Sequence, residues 1–198
     1  MVRTTKNEEH IISFLTRNFT EKYSINQLAK KVHMTPKGAH KALKKIESET
    51  VIMPETVGNA IIYHLNFGSD FAKTKAQISL FEQSSSIYAR VQSKDFERLR
   101  SHATAAILFG SIVQKEEQAR DIDILFIVEE NKYKELKKEI VLLQKLKTKH
   151  IHSIFQTSKD FVNNLKKRDE VILDILRTGN ILWGQNSIVE LIAEVVKQ

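Results

Sequence analysis

The chain contains no cysteine. Disulfides and cysteine-ligated zinc or iron–sulfur sites are therefore excluded, and we expect a protein of the reducing cytoplasm. No apolar run approaches the roughly 18 residues that span a bilayer. The first ten residues also lack the apolar segment of a secretory signal. With 41% hydrophobic and 28% charged residues, the sequence predicts a cytoplasmic globular protein that makes no membrane contact.

The 198 residues carry a formal net charge of +7. This excess predicts an anionic partner, with nucleic acid as the first candidate. The length suits one large domain or two small ones. From the hydrophobic pattern we predict three regions, which are residues 1–68, a helical bridge over 69–102, and a second domain over 103–198.

Three helices and a hairpin are predicted in residues 1–68. Ser24 is the expected N-cap of the second helix, and Thr35 with Pro36 begins the third. A tight turn before the third helix is typical of helix-turn-helix proteins. The segments "TVIMPE" and "AIIYHLNF" then predict two strands joined by "TVGN". This order predicts a winged helix-turn-helix that binds double-stranded DNA.

The third helix, "TPKGAHKALKKIESE", separates into two faces at helical spacing. Four apolar residues are predicted to pack inward: Ala39, Ala42, Leu43 and Ile46. The predicted DNA-binding residues lie on the other side: Lys37, His40, Lys41, Lys44 and Lys45. Lysines there would contact phosphates, and the first three of these side chains would reach base edges. A solvated basic face, or a winged helix that binds a protein partner, stays open as an alternative.

The bridge over 69–102 is predicted to contain two helical segments broken near "QSSS". Winged-helix regulators are often dimers because two-fold DNA sites match two-fold proteins. We therefore expect a homodimer with its interface in this region.

Strands alternate with helices after residue 103. The segments "AAILFG", "DIDILFIV" and "HIHSIFQT" predict strands, and Ser158 is the expected N-cap of the helix that follows the third. Helices packed on a mixed sheet are the expected architecture. The fold class predicted for the whole chain is α+β.

Asp121 and Asp123 are predicted to share one face of a strand, because strand residues alternate. Two close carboxylates repel unless a cation, basic groups or water surrounds them. Magnesium takes carboxylate oxygens together with substrate phosphates. The preceding Gly110 permits close backbone approach, and Ser111 offers a hydroxyl to a phosphate oxygen. Together these residues predict a site for magnesium and a nucleoside triphosphate, although an ordinary strand preceded by a polar loop stays open.

The motif "FGS" followed by "DIDILFIV" resembles the nucleotidyltransferase signature of the DNA polymerase β-like superfamily. It is most similar to minimal nucleotidyltransferase domains, and the winged helix in front resembles an archaeal architecture. The resemblance implies that Gly110 and Ser111 hold the triphosphate. It also implies that Asp121 and Asp123 bind Mg²⁺ and take part in catalysis.

Three positions depart from the family pattern. Lys115 replaces a second glycine, and Arg120 replaces a serine. Active members carry a third carboxylate on a later strand, as general base and metal ligand. The matching segment, "HIHSIFQT", has none, so His152 is the candidate catalytic substitute. His150 and His152 at alternating positions would also suit a metal, with ordinary histidines as the alternative and no third ligand evident.

Two functions remain. In the first, the chain is a DNA-binding transcriptional regulator whose second domain binds or senses a magnesium–nucleotide. In the second, it transfers a nucleotidyl group from a triphosphate to a protein or RNA hydroxyl, as antitoxin-like transferases do.

Overall fold

The computed structural model describes residues 4–81, 91 and 94–196. The chain divides into two compact units, Met1–Leu80 with Ile192–Gln198 and Phe81–Leu191. The predicted bridge is thereby shared between the units, and its expected break near "QSSS" lies outside the described residues. Among the described residues, no helix is long and apolar enough to cross a membrane.

The N-terminal unit contains three helices, a two-stranded hairpin and a fourth helix. These elements are α1 (Lys6–Arg17), α2 (Ile25–Lys31), α3 (Pro36–Ser48), β1 (Ile52–Val57), β2 (Ala60–Leu65) and α4 (Asp70–Phe81). The predicted caps are confirmed, since the side chains of Ser24 and Thr35 accept hydrogen bonds from the backbone N–H of Gln27 and Gly38. β1 pairs antiparallel with β2, and Gly58 with a φ of +58° forms the hairpin tip.

The apolar face of α3 packs into the core as predicted. Ala39, Ala42, Leu43 and Ile46 are all buried. The core partners from α1 and α2 include Ile11, Ile12, Leu15 and Leu28. Burial of this face turns the basic side of α3 away from the core.

A buried carboxylate joins α1 to α3. Glu8 is only 3% exposed, and its two carboxylate oxygens accept hydrogen bonds from Lys45 Nζ at 2.8 and 2.9 Å. Glu8 also completes a capping box with Thr5. Burial acts to raise the pKa of Glu8, but the hydrogen bonds from Lys45 and Thr5 outweigh it, so the pKa lies below its usual value.

The C-terminal unit is built on a four-stranded mixed sheet, which confirms the predicted architecture. Its elements are β3 (Ala105–Phe109), α5 (Ser111–Lys115), β4 (Asp121–Ile127), α6 (Tyr133–Gln144), β5 (His150–Gln156), α7 (Ser158–Lys166), α8 (Glu170–Thr178) and β6 (Asn180–Trp183), and α9 (Gln185–Val196) begins here. The strand order is β5-β4-β3-β6. β4 runs parallel to β5, whereas β3 is antiparallel to both of its neighbours.

Aromatic residues pack on one face of this sheet. Phe126 on β4 stacks on Phe155 with ring centroids 5.9 Å apart, and lies 6.2 Å from Trp183. The indole N–H of Trp183 donates to the carbonyl of Ala103 at 2.9 Å. The buried indole is therefore both packed and hydrogen-bonded.

The structure corrects one local prediction in this unit and describes a segment that the sequence left open. The N-cap of α7 is Thr157, not Ser158, because Thr157 and Asp160 form a reciprocal capping box. Ser158 has no such partner, since Phe161 stands three residues later. The segment after Gly110, for which an ordinary polar loop was the open alternative, forms α5 and a 3-10 turn over Glu116–Gln118.

Replacing Glu8 with glutamine should lower the free energy of unfolding by about 1–2 kcal/mol at pH 7, because the ammonium of Lys45 loses its charged partner. The pKa of Glu8 is lower in the folded protein than the value of 4.5 expected for the unfolded chain. The ionised carboxylate therefore stabilises the fold fully above about pH 4.5, and this stabilisation is lost as pH falls through the folded-state pKa. The difference between wild type and Glu8→Gln should therefore shrink below about pH 4.5. Urea unfolding followed by circular dichroism at pH 7 and in acid measures both effects.

Glu55→Gln is the matched control, since Glu55 is 43% exposed and its partners Lys22 and His64 are 57% and 32% exposed. An exposed pair contributes less than about 1 kcal/mol. Equal effects of the two substitutions would contradict the role assigned to Glu8.

Candidate functional site

The two aspartates stand at the start of β4 and project from the same face. Asp121 and Asp123 are half-buried, whereas Ile122 between them is buried in the core on the opposite face. This alternation is expected where one face of a strand is accessible to solvent and the other packs in the core. Both carboxylates are thereby held where β4 begins, between β3 and β5.

Gly110 lies against one of these carboxylates. β3 pairs with β4 so that Phe109 is opposite Asp123, and Gly110 follows at the end of β3 with a φ of +74°. A Cβ at position 110 would stand 2.5 Å from Asp123 Oδ2. Both the backbone conformation and the space thus require glycine here. Ser111, half-buried, begins α5 directly afterwards.

β5 places two histidines beside the aspartates. In the parallel register Asp121 is paired with His150, and Asp123 with His152. His152 Nδ1 lies 3.5 Å from Asp123 Oδ1, with side chains 55% and 26% exposed. The strand next to the two aspartates thus places imidazoles beside them. The register of β4 and β5 thus brings Asp121, Asp123 and His152 together, and Gly110 and Ser111 follow the end of β3 beside them.

Asp160 does not belong to this site. It follows the far end of β5, where the side chain and backbone N–H of Thr157 hydrogen-bond to its carboxylate and lower its pKa. A capping role accounts for it fully.

The donor set fits a divalent cation. The two carboxylates are oxygen ligands of the kind that magnesium prefers. The imidazoles are instead typical ligands of transition metals. Asp121, His150 and His152 have ligand atoms that all lie within 4.8 Å of one another.

Sequence reasoning missed Lys149. Its ammonium group donates to the backbone carbonyl of Glu117 at 2.5 Å and to that of Ala119. These bonds tie the segment before Asp121 to the start of β5 and thereby help to position the aspartate. Nothing in the sequence signals this role, because the acceptors are backbone atoms.

The predicted DNA-binding residues of α3 differ in their surroundings. Lys37, His40 and Lys41 are exposed. Lys44 donates to Glu47 at 2.9 Å, and Lys45 is held by Glu8. The N-terminal half of α3 therefore presents its basic groups more openly than the C-terminal half. An open cavity of about 490 Å³ lies beside it, lined by residues that include Ser24, Asn26, Pro36, His40, Asn59 and Ile61.

Residues 94–188 match the family model described as polymerase beta, nucleotidyltransferase. The chain therefore carries a nucleotidyltransferase-like domain, and the matched range includes Gly110, Ser111, both aspartates and β5. No curated protein and no solved structure matches the chain. The winged helix-turn-helix, its archaeal type and the roles of the individual site residues stay predictions.

Substituting Gly110 by alanine should displace Asp123 and destabilise the protein by more than about 1–2 kcal/mol, which is what a left-handed conformation alone costs an L-residue. Gly58→Ala is the matched control, because Gly58 has a φ of +58° and nothing lies within 4 Å of where its added Cβ would stand. Urea unfolding of both variants separates the steric effect from the backbone effect. Equal losses of stability would show that the close approach to Asp123 is not a constraint.

Proposed function

We propose that the chain is a DNA-binding transcriptional regulator whose nucleotidyltransferase-like domain binds a magnesium–nucleoside triphosphate. In this proposal the N-terminal helices and hairpin are a winged helix-turn-helix. The observation that carries the nucleotide half is the pair of half-buried carboxylates, Asp121 and Asp123, on one face of β4 beside the Gly110–Ser111 turn. Two such carboxylates repel unless a cation or basic groups lie near them, and magnesium takes carboxylate oxygens together with substrate phosphates.

The residues divide the work of binding between them. The turn at Gly110 and Ser111 would bring backbone N–H groups to a phosphate, and the hydroxyl of Ser111 would donate to a phosphate oxygen. Asp121 and Asp123 would hold Mg²⁺, which when bound supplies the positive charge that the triphosphate needs. Lys115 and Arg120 are both exposed, in the segment that leads into β4, and add positive charge before the two aspartates.

The DNA half rests on the basic face of α3. Because Ala39 and Leu43 face the core, Lys37 and Lys41 project from the other side, where they would contact phosphates. His40 would reach a base edge from the same turn. Lys44 and Lys45 would contribute less, since both are already held by acidic side chains.

A homodimer is part of the proposal. Two-fold DNA sites are bound by two-fold proteins whose second copy repeats the same contacts. Phe71, Ile78 and Phe81 on α4 are each about half exposed or more and would supply apolar surface for the interface. A protein partner at the same surface is the alternative occupant.

An active transferase is the second candidate function, favoured by the 3.5 Å between His152 and Asp123. His152 would accept the proton of an acceptor hydroxyl on a protein or RNA. The hydroxyl oxygen would then bond to the α-phosphorus as the bond to the bridging oxygen breaks and pyrophosphate leaves. Under this function, His152→Gln should abolish transfer of label from an α-labelled triphosphate while leaving nucleotide binding intact.

Calorimetric titration with magnesium-ATP and magnesium-GTP tests the nucleotide half. Wild type should bind at least one of them in a magnesium-dependent manner. The Asp121→Asn, Asp123→Asn double variant should bind at least tenfold more weakly, about 1.4 kcal/mol, because the cation loses its charged ligands. Asp174→Asn, at an exposed position on α8, is the control and should bind as wild type does. Failure of a folded wild-type protein to bind either triphosphate would contradict the proposal.

Salt dependence tests the DNA half. The slope of log affinity against log salt concentration should fall by about 2 in the Lys37→Gln, Lys41→Gln variant, since each lost phosphate contact removes about 0.9. Fluorescence anisotropy of a labelled duplex gives the slope. Lys166→Gln, Lys167→Gln removes the same charge from exposed positions in the C-terminal unit and should leave the slope unchanged. Equal slopes for both variants would mean that α3 does not contact DNA phosphates.

A further inference from the structure

Two strands of the C-terminal unit place four donor side chains in a rectangular patch. Asp121 and Asp123 alternate on β4, and His150 and His152 alternate on β5. Parallel strands lie about 4.8 Å apart, and alternate residues on one strand are separated by about 6.6 Å. Ile122 and Ile151 occupy the opposite face and are buried, so all four donors share the solvent-accessible face.

The imidazoles of this patch are close to each other and to a carboxylate. The ring centroids of His150 and His152 are 4.6 Å apart. One ligand atom from each of Asp121, His150 and His152 lies within 4.8 Å of the other two. Two nitrogen donors and one oxygen donor thus surround a single point, and the neighbouring carboxylate of Asp123 adds a second negative charge.

We infer that Asp121, His150 and His152 form a site for a first-row divalent transition metal such as Zn²⁺ or Co²⁺, which they bind in preference to Mg²⁺. Imidazole nitrogen suits zinc, nickel and copper, whereas magnesium takes oxygen ligands and releases its water reluctantly. The two carboxylates of the patch balance the charge of such an ion. A site made only of carboxylates would favour Mg²⁺, but the two ligands from β5 are imidazoles.

The geometry needs little adjustment to close around a metal. Bonds of about 2.0–2.2 Å in a tetrahedral zinc site put ligand atoms about 3.3 Å apart. His150 and His152 are exposed, so rotation of their side chains brings the nitrogens together without moving the strands. With three protein ligands, a fourth position is left open to water or to an oxygen of a bound phosphate.

Asp123 has a separate, orienting part in this site. Its carboxylate lies 3.5 Å from His152 Nδ1, which leaves Nε2 of that ring as the nitrogen for the metal. A carboxylate that accepts from the other ring nitrogen of a metal-binding histidine fixes the orientation of the ring. Asp123 is thus a positioning residue.

The inference goes beyond the proposed function and does not depend on nucleotide binding. It does bear on the choice between the two candidate functions. A His152 nitrogen that binds a metal has no lone pair with which to accept a proton. Metal binding at this patch therefore weighs against the transferase. Because Asp121 belongs to both sites, it also implies that the ion beside a bound triphosphate would be a transition metal in place of Mg²⁺.

Titration of the tag-free full-length protein with Co²⁺ tests the site, because a tetrahedral Co²⁺ complex absorbs visible light strongly. One equivalent should bind, and a large excess of Mg²⁺ should not displace it. His150→Gln and His152→Gln should each weaken binding at least tenfold. Asp123→Asn should weaken it by about tenfold, as loss of an orienting partner does.

His102→Gln is the matched control, since His102 Nδ1 lies 3.6 Å from Glu135 Oε2 elsewhere in the same unit. This variant should bind Co²⁺ as wild type does, and circular dichroism checks that every variant is folded. Absence of the visible spectrum in folded wild type, displacement by equimolar Mg²⁺, or unchanged binding in both His150→Gln and His152→Gln would each overturn the inference. Because no nucleotide is present, these outcomes are independent of the magnesium-ATP titration.

Discussion

The parallel pairing of β4 with β5 is the interaction on which the candidate site depends. It places Asp121 beside His150 and Asp123 beside His152, although these segments are far apart in the chain. A register shift of one residue would turn every donor of one strand toward the core. The buried Ile122 and Ile151 oppose such a shift, since the isoleucine of the shifted strand would then face solvent. Hydrophobic packing on one face thus fixes the chemistry of the other.

Charged side chains serve folding as well as binding in this protein. On α3, Lys45 is used to neutralise a buried carboxylate on α1, so it belongs to the framework as much as to the basic face. Lys149 similarly donates its hydrogen bonds to backbone carbonyls before β4. Net charge and helical spacing therefore overstate how many lysines are available to a partner.

Local signals in the sequence were sufficient for much of the fold. Ser24 and Thr35 were predicted as caps because a cap and its donor lie within one turn, and the alternation of Asp121 and Asp123 follows from strand geometry alone. α5 was missed because "SIVQK" is too short to show a helical period. The pairing of His150 with Asp121 was not predictable, since the register of two parallel strands is set by long-range packing. For the same reason, the sequence did not show that Asp121 is the third possible metal ligand beside His150 and His152.

Trp183 gives the C-terminal unit its own spectroscopic signal. It is the only tryptophan of the chain, and it lies buried against Phe126 on the strand that carries both aspartates. Selective excitation of the indole therefore reports on this sheet without any contribution from the N-terminal helices. Red-shifted emission would register loss of the packed sheet, whereas loss of the α1–α3 contact alone would leave the indole environment unchanged. The natural sequence thus contains an internal fluorophore that distinguishes unfolding of one unit from unfolding of the other.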